Sequence, residues 1–200
     1  MNHFASLFQA IDQTTSTNAK VAALASYFAK APENDRLWTI ALFSGRRPKR
    51  TVTVTLLREW AAELAGIPQW LFEESYPIVG DLAETIALIL PEPSSSTQIG
   101  LAEQIGEIKA LGTASEAEKK AAILAAWDRF GTAERFVFNK LITGGFRMGV
   151  SQKLMTRALS RATGIEEAEL AHRLMGDWEP DTTSFERLIL SPDPSADLSK

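Results

Sequence analysis

The chain has 200 residues, 45% of them hydrophobic, and its 21 basic and 25 acidic residues give a net charge of -4. This length and apolar content suffice for one domain or two small lobes with a hydrophobic core, and they argue against general disorder. The lack of cysteine excludes disulfides, thiolate catalysis and cysteine zinc sites, and two distant histidines, His3 and His172, argue against a histidine metal site.

Apolar residues at helical spacing predict three helices before the first glycine of the chain. The first lies between Phe4 and Ile11. The second begins near Asn18 and ends before Pro32, and Asp35 is expected to cap a third helix that runs toward Ser44.

The alternation of Thr and Val over Thr51–Thr55 is by itself a strand pattern. The apolar residues that follow, from Leu56 to Leu64, instead form one helical stripe, and Gly66 suits the position just past a helix end. We therefore predict a helix over Thr53–Ala65. A short helix is predicted next, over Ile67–Tyr76.

Residues 91–97, with two prolines and three serines, form the clearest linker in the chain. Before them, Asp81 begins a capping arrangement for a helix that stops at Pro91. The sequence thus predicts an N-terminal helical lobe over residues 1–90 and a C-terminal helical lobe over residues 98–190. Residues 191–200 are expected to be a further linker.

The C-terminal lobe is predicted to be helical as well, which makes the fold class all-α with roughly 10–12 helices. The five tryptophans of the chain lie among apolar stripes and are expected in the core. The predicted elements are a helix over Ile99–Leu111, a helix with a Ser115 and Glu118 capping box, a helix capped by Thr132 and running into Thr143, a helix from Ser151 to Gly164, and a helix from Glu166 to Arg173.

Positive charge is concentrated in two segments that contain no acid, Arg36–Arg58 and Arg135–Ile165. Each carries six Lys or Arg residues, which leaves nine basic against 25 acidic residues for the rest of the chain. Clustered positive charge can attract a polyanion even when the total charge is negative. The alternative is that both segments are ordinary solvated helix faces.

Two turns within these segments combine glycine with cations: Ser44–Arg50 (SGRRPKR) and Gly144–Lys153 (GGFRMGVSQK). In the second, Gly145 and Gly149 flank Arg147 and are expected to allow positive φ and close approach of the backbone to a ligand. The helix after Ser151 starts with free backbone N–H donors that favour an anion. Phe146 is expected to pack on its own lobe rather than to enter a DNA groove as a wedge.

Lys153, Arg157 and Arg161 lie four residues apart and therefore follow one helical stripe. Beside a glycine turn, such a stripe fits the phosphates of a DNA backbone better than a single small ligand. Without the turn, an amphipathic helix with a solvated face would be the preferred interpretation.

GDLAET (Gly80–Thr85), followed by FNKLITGGFRMGVSQKLMTRAL (Phe138–Leu159), resembles the N-terminal DNA-binding domain of ATP-dependent DNA ligases, in particular the bacterial ones. The second motif is long and specific, whereas the first alone would be weak. The resemblance extends from Asn2 to about Leu190.

The resemblance implies an all-helical domain of two pseudo-symmetric lobes, whose turns grip the minor groove on both sides of a nick. It implies a partner, nicked double-stranded DNA bound without sequence specificity, and roles in repair, replication and recombination. The residues implied as DNA contacts, together with the cations of the basic segments, are Arg46, Arg47, Lys49, Arg50, Lys140, Gly145, Arg147, Gly149, Ser151, Lys153, Arg157 and Arg161.

A complete enzyme of this family uses ATP, a divalent metal such as Mg²⁺, and a nucleophilic lysine in a Lys-x-Asp-Gly motif. None of the nine lysines here begins that motif. We therefore expect no catalytic residue, cofactor site or metal site in this chain, and a position just before an adenylation domain of a longer ligase.

Two other functions remain open from the residues, a stand-alone helical DNA-binding or architectural protein and a helical protein-interaction module. No segment has the roughly 18 uninterrupted apolar residues of a membrane span, and the N-terminus lacks a signal-peptide pattern. We expect a soluble, cytoplasmic monomer that does not bind membranes.

Overall fold

The computed structural model describes residues 1–146 and 148–191, in which every regular element is helical, so the all-α prediction is confirmed. The elements are α1 (Asn2–Asp12), α2 (Thr17–Lys30), α3 (Glu33–Phe43), α4 (Val54–Ala65), α5 (Gln69–Val79), α6 (Leu82–Ile89), α7 (Leu101–Ala110), a 3-10 turn (Leu111–Thr113), α8 (Glu116–Arg129), α9 (Thr132–Thr143), α10 (Gln152–Thr163), α11 (Glu167–Met175) and a π-helical segment (Glu186–Leu190).

The helices divide into two compact units that are not continuous in sequence. The first unit comprises residues 1–2, 48–99 and 103–145, and the second comprises residues 3–47, 100–102, 146 and 148–191. Residues 91–97 lie within the first unit. The sequence-based division into lobes at that linker stays a prediction.

In the first unit, α6 packs against α9, and α4 packs against α5, α6 and α8. Its core contains the fully buried ring of Trp127, whose indole N–H donates to Asn139 Oδ1 at 2.8 Å. The Asn139 side-chain amide in turn donates to the Ala83 carbonyl at 3.1 Å. Because both polar groups of Asn139 are satisfied, the buried amide fixes α6, α8 and α9 in one arrangement.

In the second unit, α10 packs against α2 and α11, and α11 packs against the π-helical segment. Apolar side chains on one face of α10, among them Met155, Ala158 and Leu159, are buried. The opposite face carries Lys153 and Arg161, which are exposed. Phe4, Phe8, Leu24, Phe28 and Ile40 complete this core.

Local capping signals correctly located several helix starts. Asp81 and Ser151 each accept a hydrogen bond from the backbone N–H three residues later. Thr53, predicted as the first residue of α4, is instead its N-cap. Ser115 and Glu118 form the predicted reciprocal capping box. The strand pattern of residues 51–55 thus gives way to a helix, because Thr53 is a cap and the apolar stripe begins directly after it.

Two predicted caps are wrong. Asp35 lies inside α3, which begins at Glu33, and its buried carboxylate accepts a hydrogen bond from the Ala102 backbone N–H at 2.9 Å. Asp35 thus caps the start of α7, a helix distant in sequence, and not its own helix. Thr132 is the first residue of α9, and Gly131 holds the N-cap position.

The tryptophans are not all in the core: Trp70 on α5 is 66% exposed, whereas Trp38, Trp60, Trp127 and Trp178 are buried. The π-helical segment was not predicted from the sequence. None of the described helices is both long enough and apolar enough to cross a membrane.

Candidate nucleic-acid interface

The second basic turn begins where α9 ends, and it reverses direction at two glycines. Gly144 is the C-cap of α9 with φ 72°, and Gly149 has φ 58°. Gly145 was expected to share the positive φ and does not, because the left-handed residue that ends α9 is the glycine before it. At Gly149 a side chain would be strained, so glycine is required by the backbone.

Ser151 ends the turn as the N-cap of α10 and accepts a hydrogen bond from the Leu154 N–H. Lys153 and Arg161 are exposed and Arg157 is half-buried. In the part of the chain that the structure describes, these three cations form no ion pair or hydrogen bond. Contact of this helical stripe with an anionic ligand stays a prediction.

The first basic turn follows α3 and uses Gly45, with φ 84°, to reverse the chain. The Gly45 N–H donates to the Leu42 carbonyl at 3.1 Å, and the Arg46 N–H donates to the Ala41 carbonyl at 2.8 Å. These bonds close the end of α3 in the manner of a Schellman motif. Arg47, the next residue, is exposed.

Within the second unit, the two turns line one open groove of about 420 Å³. Gly45 and Arg47 come from the first turn, and Met148 to Ser151 come from the second. Phe146 also lines the groove, but its ring is buried and lies 5.8 Å from Phe4 and 5.5 Å from Phe8, centroid to centroid. Phe146 thus packs inside the protein, but not on its own predicted lobe, because Phe4 and Phe8 belong to residues 1–90 and Phe146 was assigned to residues 98–190.

Lys20 of α2 also reaches this turn, and the sequence analysis did not select it. Its Nζ lies 3.5 Å from the Met148 carbonyl oxygen, and a Cβ added to Gly149 would lie 3.4 Å from the same Nζ. The contact joins residues 128 positions apart. No local sequence signal could have identified it.

The candidate contacts fall in both units. Arg46, Arg47, Gly149, Ser151, Lys153, Arg157 and Arg161 belong to the second unit, and Lys49, Arg50, Lys140 and Gly145 belong to the first. Arg147 lies outside the described residues. Within the second unit, the structure brings Arg47, Gly149 and Ser151 together in the groove.

The first-unit candidates differ in how their side chains are used. Lys49 is exposed, and Arg50 is exposed but donates to the Thr143 carbonyl at 2.9 Å. Lys140 forms an ion pair with Asp81 and lies 5.3 Å from the centre of the Phe136 ring. The Lys140 pair joins the two motifs that carried the family resemblance, since Asp81 belongs to GDLAET.

Other cations of the acid-free segments are engaged in the fold. Arg135 is buried and donates to the carbonyls of Trp127 at 2.6 Å and Pro91 at 2.7 Å. Burial lowers the pKa of its guanidinium, whereas the nearby Glu92 and Asp128 carboxylates act in the opposite direction. Arg58 pairs with Glu73 at 3.2 Å. The charge available to a ligand is smaller than the sequence count indicates.

The described residues contain no group of three or more His, Asp or Glu side chains that could hold a metal ion. What the second unit presents is an open groove with glycine-rich backbone, a helix N-terminus and exposed cations nearby. Such a surface suits the phosphates of a nucleic-acid backbone, which are bound by Lys and Arg, backbone N–H groups and helix N-termini.

Comparison with known proteins identifies the family. The DNA ligase N terminus family matches residues 1–177. The chain is also 27% identical over 189 residues to a probable DNA ligase of Koribacter versatilis (strain Ellin345), an alignment that covers 88% of this chain and 32% of the relative. The chain thus spans about a third of that relative's length. On the evidence of the family match and the all-helical fold, this chain belongs to the DNA ligase N-terminal domain family.

Proposed function

We propose that this chain is the DNA-binding domain of an ATP-dependent DNA ligase and that it binds nicked duplex DNA without sequence specificity. The observation that carries the proposal is the groove of the second unit, where two glycine-containing basic turns meet beside the start of α10. Family membership makes DNA the natural ligand of such a surface.

The chemistry of the groove matches a phosphate backbone. Gly45 and Gly149 carry no side chain that would keep a strand away from the turn. The first turn of α10 presents backbone N–H groups and the positive end of the helix dipole. Arg47 and Lys153 supply full charges near that end, and their long side chains can follow phosphates without reading bases.

The stripe on α10 extends the same surface. Lys153, Arg157 and Arg161 succeed one another at one-turn intervals of about 6 Å, close to the spacing of successive phosphates. Contacts of this kind fix the position and orientation of a duplex and carry no sequence information. That behaviour suits a domain that must accept any sequence on either side of a nick.

In the whole enzyme, this domain would hold the duplex while other domains perform the chemistry. Sealing a nick requires ATP, a divalent metal and a nucleophilic lysine, and the present chain has no Lys-x-Asp-Gly motif to supply the lysine. Its contribution would be positioning, which raises the rate by holding the two DNA ends in a productive geometry.

The test compares Arg47→Ala, Lys153→Ala and the double variant with wild type for binding to a nicked duplex across a range of salt concentrations. Each lost phosphate contact should weaken binding by about tenfold near 0.1 M salt and lower the salt slope by about one unit. Lys30→Ala, which removes an exposed cation at the end of α2 in the same unit, is the matched control and should bind like wild type.

An intact duplex of the same length should show the same losses, because the proposed contacts are with phosphates and not with the nick itself. A double variant that binds with wild-type affinity and salt slope would rule out this groove as the DNA site. Equal losses in Lys30→Ala would indicate a diffuse charge effect and no defined site.

A further inference from the structure

The cations of the first basic turn differ in what their side chains contact, and Arg46 has the most extensive contacts with the second unit. Its guanidinium is directed into the second unit, where Nε donates to the Trp178 carbonyl at 3.0 Å and Nη2 donates to the Gly176 carbonyl at 3.2 Å. The guanidinium carbon also lies 4.3 Å from the centre of the Trp178 ring. The Arg46 side chain is therefore held by two backbone carbonyls and an aromatic ring.

The partner of Arg46 is itself fixed. Trp178 is 2% exposed, and its indole N–H donates to the Leu174 carbonyl in the last turn of α11 at 3.2 Å. Gly176, the other acceptor, is the C-cap of α11. A planar guanidinium that bonds two carbonyls and stacks on a ring is a geometry that lysine cannot reproduce.

Arg46 lies between two residues that line the groove, Gly45 and Arg47. Its own backbone N–H is bonded to the Ala41 carbonyl, so both its main chain and its side chain are held. Because Arg46 directly precedes Arg47, holding Arg46 restricts the direction in which the Arg47 side chain leaves the backbone. The contact between Arg46 and Trp178 thus helps to place Arg47.

We propose that Arg46 is a positioning residue and not a DNA contact, a proposal that rests on the proposed DNA-binding function. It anchors the first turn to the Gly176–Trp178 segment and thereby holds Arg47 toward the DNA. The proposal reassigns one of the cations that the sequence analysis placed among the DNA contacts. It also gives Trp178, which has no charge and is buried, an indirect part in DNA binding.

A double-mutant cycle on Arg46 and Arg47 tests this directly, with affinity for a nicked duplex as the readout. Arg46→Ala should weaken binding about fivefold to tenfold in the wild-type background and less than about twofold when Arg47 is already Ala, because coupled residues give non-additive effects. Two independent phosphate contacts would instead give equal losses in both backgrounds, which would overturn the proposal.

Two further variants test whether the effect of Arg46 on DNA affinity comes from its contact with Trp178 or from its positive charge. Arg46→Lys keeps the charge but loses the fork and the stacking, so it should bind as weakly as Arg46→Ala. Trp178→Leu removes the ring without changing charge and should also weaken binding. Wild-type affinity in either variant would contradict the proposal, and each variant is measured well below its own melting temperature so that unfolding does not contribute.

The same data distinguish failure of this inference from failure of the proposed function. If Arg47→Ala binds like wild type, the first turn is not part of the DNA site and both proposals lose their basis there. If Arg47→Ala weakens binding and Arg46→Ala adds its full effect, only the positioning role is wrong. If Arg46→Ala lowers the melting temperature but leaves affinity unchanged, the contact with Trp178 serves stability alone.

Discussion

The cations of α9 and α10 lie in the same acid-free segment, Arg135–Ile165, yet the two helices use them in opposite ways. On α9, Arg135 is buried against two carbonyls and Lys140 pairs with Asp81. On α10, Lys153 and Arg161 extend into solvent without a partner among the described residues. A run of positive charge in a sequence thus combines residues that hold the fold with residues that can meet a ligand, and only burial and partners separate the two.

The largest expected difference between the two helices is in stability. Arg135→Ala leaves the buried Trp127 carbonyl and the partly buried Pro91 carbonyl without this donor and should lower the free energy of unfolding by about 1–3 kcal/mol. Lys153→Ala removes an exposed side chain and should change it by less than about 0.5 kcal/mol. Urea unfolding measures both. If Lys153→Ala lowered the stability as much as Arg135→Ala, the distinction between cations that hold the fold and cations that are free for a ligand would be wrong.

Lys140 was predicted to contact DNA, but in the structure its ammonium group forms an ion pair with Asp81. Lys140→Met removes the partner of Asp81 and should lower the free energy of unfolding by about 1 kcal/mol. DNA affinity should change less than about twofold, because the ammonium group is already engaged. A loss of affinity as large as that of Lys153→Ala would instead place Lys140 in the interface, as the sequence analysis expected.

Two serine N-caps, one in each unit, allow DNA binding to be compared between variants that lose the same amount of stability. Ser115→Ala in the first unit and Ser151→Ala at the start of α10 each remove one N-cap and should each lower the free energy of unfolding by about 1 kcal/mol. Only Ser151 lines the groove, so only Ser151→Ala should also weaken DNA binding. Equal affinities for the two variants would argue against α10 as part of the site.

The smallest expected effect concerns acid pH. Hydrogen bonds from the side chain and backbone of Ser115 lower the pKa of Glu118. Because the pKa is lowered in the folded state, the contribution of Glu118 is present above its ordinary pKa of 4.5 and is lost as the pH falls below it. Ser115→Ala should therefore be more damaging at pH 7 than at pH 3. An equal stability loss at both pH values would mean that Glu118 takes no part.

The sequence predicted what is determined locally. The caps Asp81, Ser115 and Ser151 each accept a hydrogen bond from a backbone N–H three residues away, and the stripe of α10 repeats every turn, so both are visible in a short stretch of sequence. The helical fold and the exposed cations of α10 followed from these patterns. The identity of the ligand, DNA, came from the family resemblance, because the spacing of residues alone does not specify a ligand.

The remaining features depend on contacts between residues far apart in the chain. Asp35 and Ala102 are separated by 67 positions, Lys20 and Met148 by 128, and Arg46 and Trp178 by 132. Such partners cannot be identified from spacing, so Asp35 was assigned to the wrong helix and Lys20 was missed. Arg46 was grouped with its neighbours by charge, although its side chain points into the protein.

Backbone amide chemical shifts of the isotopically labelled chain, recorded during titration with a nicked duplex, show which residues meet the DNA. We predict that the amides of Gly45, Arg47, Gly149, Ser151 and Lys153 shift together and saturate with one affinity. The exposed indole of Trp70 on α5, in the first unit, should stay unchanged and serves as an internal reference. Shifts confined to α5, or none in the groove at saturating DNA, would contradict the account.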